Sequence, residues 1–317
     1  MADASALLPP GEERKNFPLW PFRHTNWNVV LNWVLSLVQG CGDSIWNGTV
    51  LAAFIYELCG TSRAGKAKGN SYVGYVEAAQ GVIMLVVSLP IGWLADKTSK
   101  SAIVRFGGAL VPVASGATIY AAIYGAAETS HFFTSYWILF GAMCMWGIAY
   151  AIFQGPAQAL LADSTPTGNR SWYFTKNAQL NFLANAAGPI VAIAMFALHG
   201  DEWHPTTLRN VLIVGIGINV LMTIPMMLMR DDCALAEETA GAAPGTAPSA
   251  APTSDTPESG GGYASAEAQA NVHAQRSARL RRVPYVVFSS GILFALGSGM
   301  TIKFFPLFFK NDLRLSP

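Results

Sequence analysis

The chain has 317 residues, with 20 Lys and Arg against 19 Asp and Glu and a formal net charge of +1. Only 12% of residues are charged and 52% are hydrophobic, where a soluble domain carries about 25% charged residues. That balance excludes a soluble enzyme, and with no basic domain it excludes a nucleic-acid binder.

Residues 1–26 form a polar tail with Pro, Glu, Arg and Lys and without the apolar core of a signal peptide. Blocks free of Asp, Glu, Lys and Arg then follow: Phe106–Ala127, Phe132–Ala162, Asn177–Gly200, Asn210–Met229 and Val283–Ile302. Runs of about 18 or more such residues read as membrane spans. The expected fold is an all-α polytopic membrane protein. Helix one is placed at Trp27–Tyr56, long enough to tilt or break near Gly40-Cys41-Gly42. Helix two is placed at Tyr72–Ala95, helix three at Ala102–Gly125, helix four at Thr134–Leu161, helix five at Tyr173–Leu198 and helix six at Leu208–Met229. These make a six-helix bundle over 27–230. Residues 231–283 turn to Ala, Gly, Pro, Ser and Thr, a composition that buries no core and predicts a disordered linker. A seventh helix, Tyr285–Phe309, lies in the final segment 284–317. Cys41 and Cys144 fall within spans and Cys59 and Cys233 have no evident partner, so no disulfide framework is expected.

Charge sets the expected orientation. With the tail inside, the inner segments hold 13 basic residues, among them Lys97, Lys100, Arg105, Arg170, Arg230 and the linker arginines 276, 279, 281 and 282. The outer segments hold 6: Arg63, Lys66, Lys68, Arg209, Lys310 and Arg314. The tail and the linker are therefore expected in the cytoplasm.

Polar residues inside the spans mark candidate sites. On helix one, Asn28, Asn32, Ser36, Gln39, Asp43 and Asn47 recur at steps of three to four, which is one helix face. Hydrocarbon does not tolerate such a face, so it is expected to meet a cavity or other helices. Asn177, Asn181 and Asn185 make a second stripe on helix five. Asp43 lies near mid-membrane, where a carboxylate costs about 2.5–3.5 kcal/mol on the insertion scale, so it must be paired, hydrated or protonated. It is the candidate proton-coupling group, with Glu77 on helix two as a weaker one. Trp33, Trp46 and Trp146 are read as packing before ligand stacking.

After helix two comes Gly92-Trp93-Leu94-Ala95-Asp96-Lys97-Thr98-Ser99-Lys100. This resembles the signature between helices two and three of the major facilitator superfamily, Gly-x-x-x-Asp-Arg/Lys-x-Gly-Arg/Lys-Arg/Lys. Gly92, Asp96, Lys97 and Lys100 match. Ser99 replaces a Gly and Ser101 a second basic residue, which predicts a less sharp turn. The resemblance implies a gating role for this loop, with Asp163 and Arg170 after helix four as its partners. Gln154-Gly155 resembles the end of the family's Arg-x-x-Gln-Gly motif, but Ala151 stands at the Arg position, so that proton-antiport mechanism is not implied. Gly188-Pro189 is read as ordinary for a membrane helix.

The family fold implies that helices one, four and seven face a central cavity while helices three and six lie against lipid. It implies a secondary transporter that moves a small solute by alternating access, with protons as the candidate coupling ion. Asn32, Gln39, Asp43, Asn47, Glu77, Gln154 and Lys303 are the expected substrate or coupling residues. Gly40-Cys41-Gly42-Asp43-Ser44-Ile45-Trp46 resembles Gly297-Ser298-Gly299-Met300-Thr301-Ile302-Lys303, a weak internal repeat that fits two related halves. Asp43 and Lys303 are accordingly expected at similar depth. The expected partners are the lipid bilayer and a small solute, with no enzyme activity, organic cofactor or metal. Twelve helices are implied for the family, so the chain is expected to be a fragment, and the full protein a monomer. Two alternatives stand beside this reading. One is a seven-helix receptor or retinal protein, suggested by Lys303 in helix seven. The other is a non-transporting truncated product.

Overall fold

The computed structural model describes residues 25–60, 69–127, 131–166, 168–199, 204–235 and 289–290. In chain order the helices are α1 (Trp27–Trp46), α2 (Thr49–Gly60), α3 (Gly69–Lys97), α4 (Lys100–Ala127) and α5 (Phe132–Ile152). After α5 come a π segment (Phe153–Ala157) and α6 (Gln158–Asp163). They are followed by α7 (Arg170–Asn185), α8 (Ala187–His199), α9 (Pro205–Val220), α10 (Thr223–Leu228) and a 3-10 turn at Asp231–Cys233. Among the described residues, five runs are long and apolar enough to cross a bilayer: α3, α4, α5–α6, α7–α8 and α9–α10.

The first predicted helix is two helices, and the break falls at Asn47-Gly48, not at Gly40-Cys41-Gly42. Gly40 and Gly42 sit inside α1 and serve contact. A Cβ on Gly40 would lie 2.7 Å from the Asn181 carbonyl oxygen and 2.8 Å from Ala184 Cβ on α7, and one on Gly42 would run into the Asn219 side chain on α9. Close approach of membrane helices depends on such small residues. Three of the other spans are interrupted beside prolines, whereas α3 and α4 run unbroken through Pro90 and Pro112. Pro156, Pro189 and Pro225 each lack the N–H that would bond the carbonyl four residues back and crowd that carbonyl. The chain widens into the π segment around Pro156, and leaves the α-helix at Ala186 and at Leu221-Met222.

In the unit formed by residues 1–236 and 306–317, α1 is central and packs on α7, α8 and α9, while α5 packs on α3 and α4. Trp46 and Trp146 are fully buried with ring centroids 5.2 Å apart, so both are packing residues. The spans differ in how much they hide. The apolar windows of α4 and α9–α10 are each 44% buried, those of α3 and α7–α8 only 6% and 17%. Helices three and six, α4 and α9–α10, each pair a buried face with exposed apolar residues, among them Phe106, Val113 and Tyr120 on α4 and Leu221 and Ile224 on α9–α10. A charge-free span shows only that lipid is tolerated. The stripe Gly107, Gly108, Ala114, Ser115, Thr118 and Ala121 gives α4 a buried packing face. Leu85 and Leu89 on α3, with Phe182 and Leu198 on α7–α8, head the exposed apolar residues.

Residues 229–235, most of them assigned from sequence to the linker, are fastened to one end of the bundle. Asn28 Nδ2 donates to the Arg230 carbonyl at 2.7 Å and Asn26 Nδ2 to the Cys233 carbonyl at 2.6 Å. Arg105 donates to the Met229 carbonyl at 3.0 Å. Asp231 accepts from the Ser99 hydroxyl, and from the Ser101 hydroxyl and backbone N–H at 2.9 Å each. Ser99 Oγ in turn accepts from the Ala102 N–H at 3.1 Å, so Ser99 caps α4. Of the second unit, 237–305, the structure describes Ser289 and Ser290, both exposed. The rest of the predicted linker and of helix seven, with Lys303, lies outside the described residues.

Candidate functional site

The polar face of α1 divides into two parts. At the end that begins with Trp27 its amides tie the bundle together. Asn28 is buried and donates to Ser164 Oγ at 3.0 Å as well as to Arg230. Asn32 is fully buried, donates to the Ala157 carbonyl at 2.9 Å and accepts from Gln158 Nε2 at 3.4 Å. That carbonyl ends the π segment, so Asn32 ties α1 to the point where the span returns to α-helix.

Further along, α1 meets a cavity of about 350 Å³ bounded by the π segment, the start of α6 and α7. Ser36 and Gln39 enter it from α1, Gln154 and Gln158 from the span carrying the π segment, and Asn177 and Asn181 from α7, with Phe153, Phe174 and Phe182 beside them. The amides are linked. Ser36 Oγ donates to Asn177 Oδ1 at 2.7 Å, and Asn177 Nδ2 to Gln158 Oε1 at 3.4 Å. Asn181 Nδ2 donates to the Ser36 carbonyl at 3.1 Å and to Gln39 Oε1 at 3.2 Å.

Gln39 continues the chain to Asp43, donating from Nε2 to Oδ2 at 2.9 Å. Asp43 Oδ1 accepts from the Tyr150 hydroxyl at 2.5 Å and from Asn219 Nδ2 at 2.6 Å. Asn47 Nδ2 reaches the Tyr150 hydroxyl at 3.4 Å. The carboxylate therefore accepts from three side chains on three spans. Charge-assisted hydrogen bonds of this length offset part of the cost of holding an anion at membrane depth. Along α1, Asp43 lies about 24 Å from Trp27 at 1.5 Å per residue. Glu77 is half-buried on α3.

The structure thus joins Asn32, Gln39, Asp43 and Asn47 in one seam and brings Gln154 to its cavity. Tyr150 and Asn219 were not singled out from sequence. Asn219 had a signal, being a lone amide deep in an apolar span. Tyr150 shared a helix face with Gln154, four residues on, but a tyrosine in an aromatic-rich span reads as packing.

The loop residues are distributed differently. Lys100 Nζ pairs with Asp163 Oδ2 at 2.6 Å, as expected. Asp96, Lys97 and Arg170 are exposed, and Lys97 holds its ammonium 4.3 Å from the Trp93 ring centroid. Neither Asp96 nor Arg170 forms a salt bridge among the described residues. Asp231 joins the loop instead. Burial alone would raise its pKa, but the Ser99 and Ser101 hydrogen bonds and the nearby Arg105 guanidinium bring it below 3.8. The four cysteines form no disulfide among the described residues. No cluster of three His, Cys, Asp or Glu capable of holding a metal occurs among the described residues.

Comparison with protein families gives one match, to the model described as Major Facilitator Superfamily, over residues 33–317. Comparison with curated proteins and with solved structures gave no match.

Proposed function

Because this chain belongs to the major facilitator superfamily, and so to the membrane transporters, we propose that it moves a small solute by alternating access, coupled to protons through Asp43. The seven-helix receptor reading falls away with the family assignment.

The observation that carries the coupling proposal is the continuity from cavity to carboxylate. Asn181 lines the cavity and donates to Gln39, and Gln39 donates to Asp43. An ionised Asp43 accepts each of the three hydrogen bonds from Gln39, Tyr150 and Asn219. A protonated one loses its charge and turns one oxygen into a donor, which weakens its hold on the group that donates to that oxygen. If that group is Gln39, its amide rotates and Asn181 loses the oxygen it bonds. Proton occupancy at Asp43 would in this way alter the cavity wall without a charged group entering the cavity.

Asp43→Asn tests the proposal. The variant cannot exchange a proton at this position. In proteoliposomes it should retain solute counterflow and lose accumulation driven by a pH gradient. Accumulation equal to that of the unaltered chain would exclude Asp43 as the coupling group.

A further inference from the structure

Resting on the transport reading, we infer that the cavity between α1, the π segment and α7 binds an uncharged, hydroxylated solute with an apolar ring face, of the sugar or nucleoside kind. The cavity volume of about 350 Å³ suits a small molecule. Among the described residues its polar lining is one hydroxyl and five amides, with no Asp, Glu, Lys, Arg or His. An ionic solute leaving water at this depth needs an opposite charge, which this wall does not supply. Asp43 stands one residue behind the wall, and three donors already occupy it.

Primary amides both donate and accept, and so do hydroxyl groups, so the two match without regard to the solute's orientation. Two of the internal contacts, Asn177 to Gln158 and Gln158 to Asn32, are 3.4 Å long, and a solute hydroxyl exchanges for them at small cost. Gln154 is exposed and makes no side-chain hydrogen bond to the described residues, so its amide is available to a ligand. The π segment that Pro156 imposes carries this amide. Phe153, Phe174 and Phe182 supply the apolar side on which the C–H face of a sugar ring or the face of a base rests.

The test is uptake and binding by the reconstituted protein, with radiolabelled glucose, mannitol and uridine set against nitrate, glutamate, succinate and tetraethylammonium. Saturable uptake of an uncharged member is expected. Gln154→Leu should raise its KM about three- to tenfold, the value of one neutral hydrogen bond, while the protein stays monodisperse. An unchanged KM would overturn the assignment of this cavity as the binding site. Uptake of a charged member alone would overturn the solute class and leave the transport reading standing. Saturable binding of an uncharged member without uptake would keep the class and overturn transport. No response to any member would overturn both.

Discussion

Asp43 is held in a fixed environment built by residues far apart in the chain. Asn219 supplies one donor from α9, and the same amide occupies the space that a side chain on Gly42 would need. Gly42 is therefore required by a contact and not by backbone freedom. Gly42→Ala should lower the thermal stability of the detergent-solubilised protein, because its new methyl runs into the Asn219 amide. Asn219→Ala should also destabilise, by about 1.5–3 kcal/mol, since it removes a hydrogen bond to a charged group. The two changes share one space, so the double variant should be more stable than the sum of the single losses implies. Strict additivity in the unfolding temperatures would show that the two sites are independent.

Elements, more than individual residues, decide the end of the bundle that carries the α3–α4 loop. The turn at Asp231–Cys233 reaches the start of α4, where Ser99 acts as the cap and Ser101 presents its backbone N–H. A carboxylate there meets the unpaired amides and the positive end of the helix dipole. Ser99 and Ser101 are the two positions at which the loop departs from the family signature, and both bond Asp231. The departures predicted a looser turn; in the folded protein they make a docking point. The folded pKa of Asp231 lies below its ordinary 3.8. Its ionised form is thus favoured by folding, and the stabilisation is complete above 3.8 and fades as pH falls through the lower, folded value. Asp231→Asn should unfold at lower temperature than the unaltered protein at neutral pH, and the gap should narrow below about pH 4. Ser99→Ala should cost about 1 kcal/mol as a lost cap. A gap for Asp231→Asn that stays constant across this range would show that the carboxylate's charge contributes nothing there.

At the scale of the whole molecule, orientation is the open proposal: the end of the bundle carrying the α3–α4 loop faces the cytoplasm. Lys97, Lys100, Arg105, Arg170 and Arg230 lie at or near that end, and Arg209 near the start of α9 at the other. In a background without the native cysteines, Thr98→Cys should react with an impermeant maleimide only after cells are opened. His204→Cys should react in intact cells. Both sites are exposed, so access and not burial decides the result. Labelling in the reverse pattern would invert the topology.

The sequence by itself determined that the chain is helical, membrane-spanning and related to this superfamily. Those properties follow from the lengths of apolar runs and the spacing of a loop motif, both of which are local along the chain. It also placed a polar face on helix one and picked out Asp43, because a carboxylate in an apolar run is conspicuous wherever the run packs. Tertiary structure alone decided what that face touches. Asn28 and Asn32 bind the bundle together while Gln39 meets a cavity, although all three share one periodicity. Tyr150, Asn219 and Asp231 acquired their roles from partners 107, 176 and 130 or more positions away. Which spans hide and which stay bare was likewise outside the reach of composition. Burial of a membrane helix depends on close fit between small-residue stripes on different helices, and that fit exists only once the helices have met.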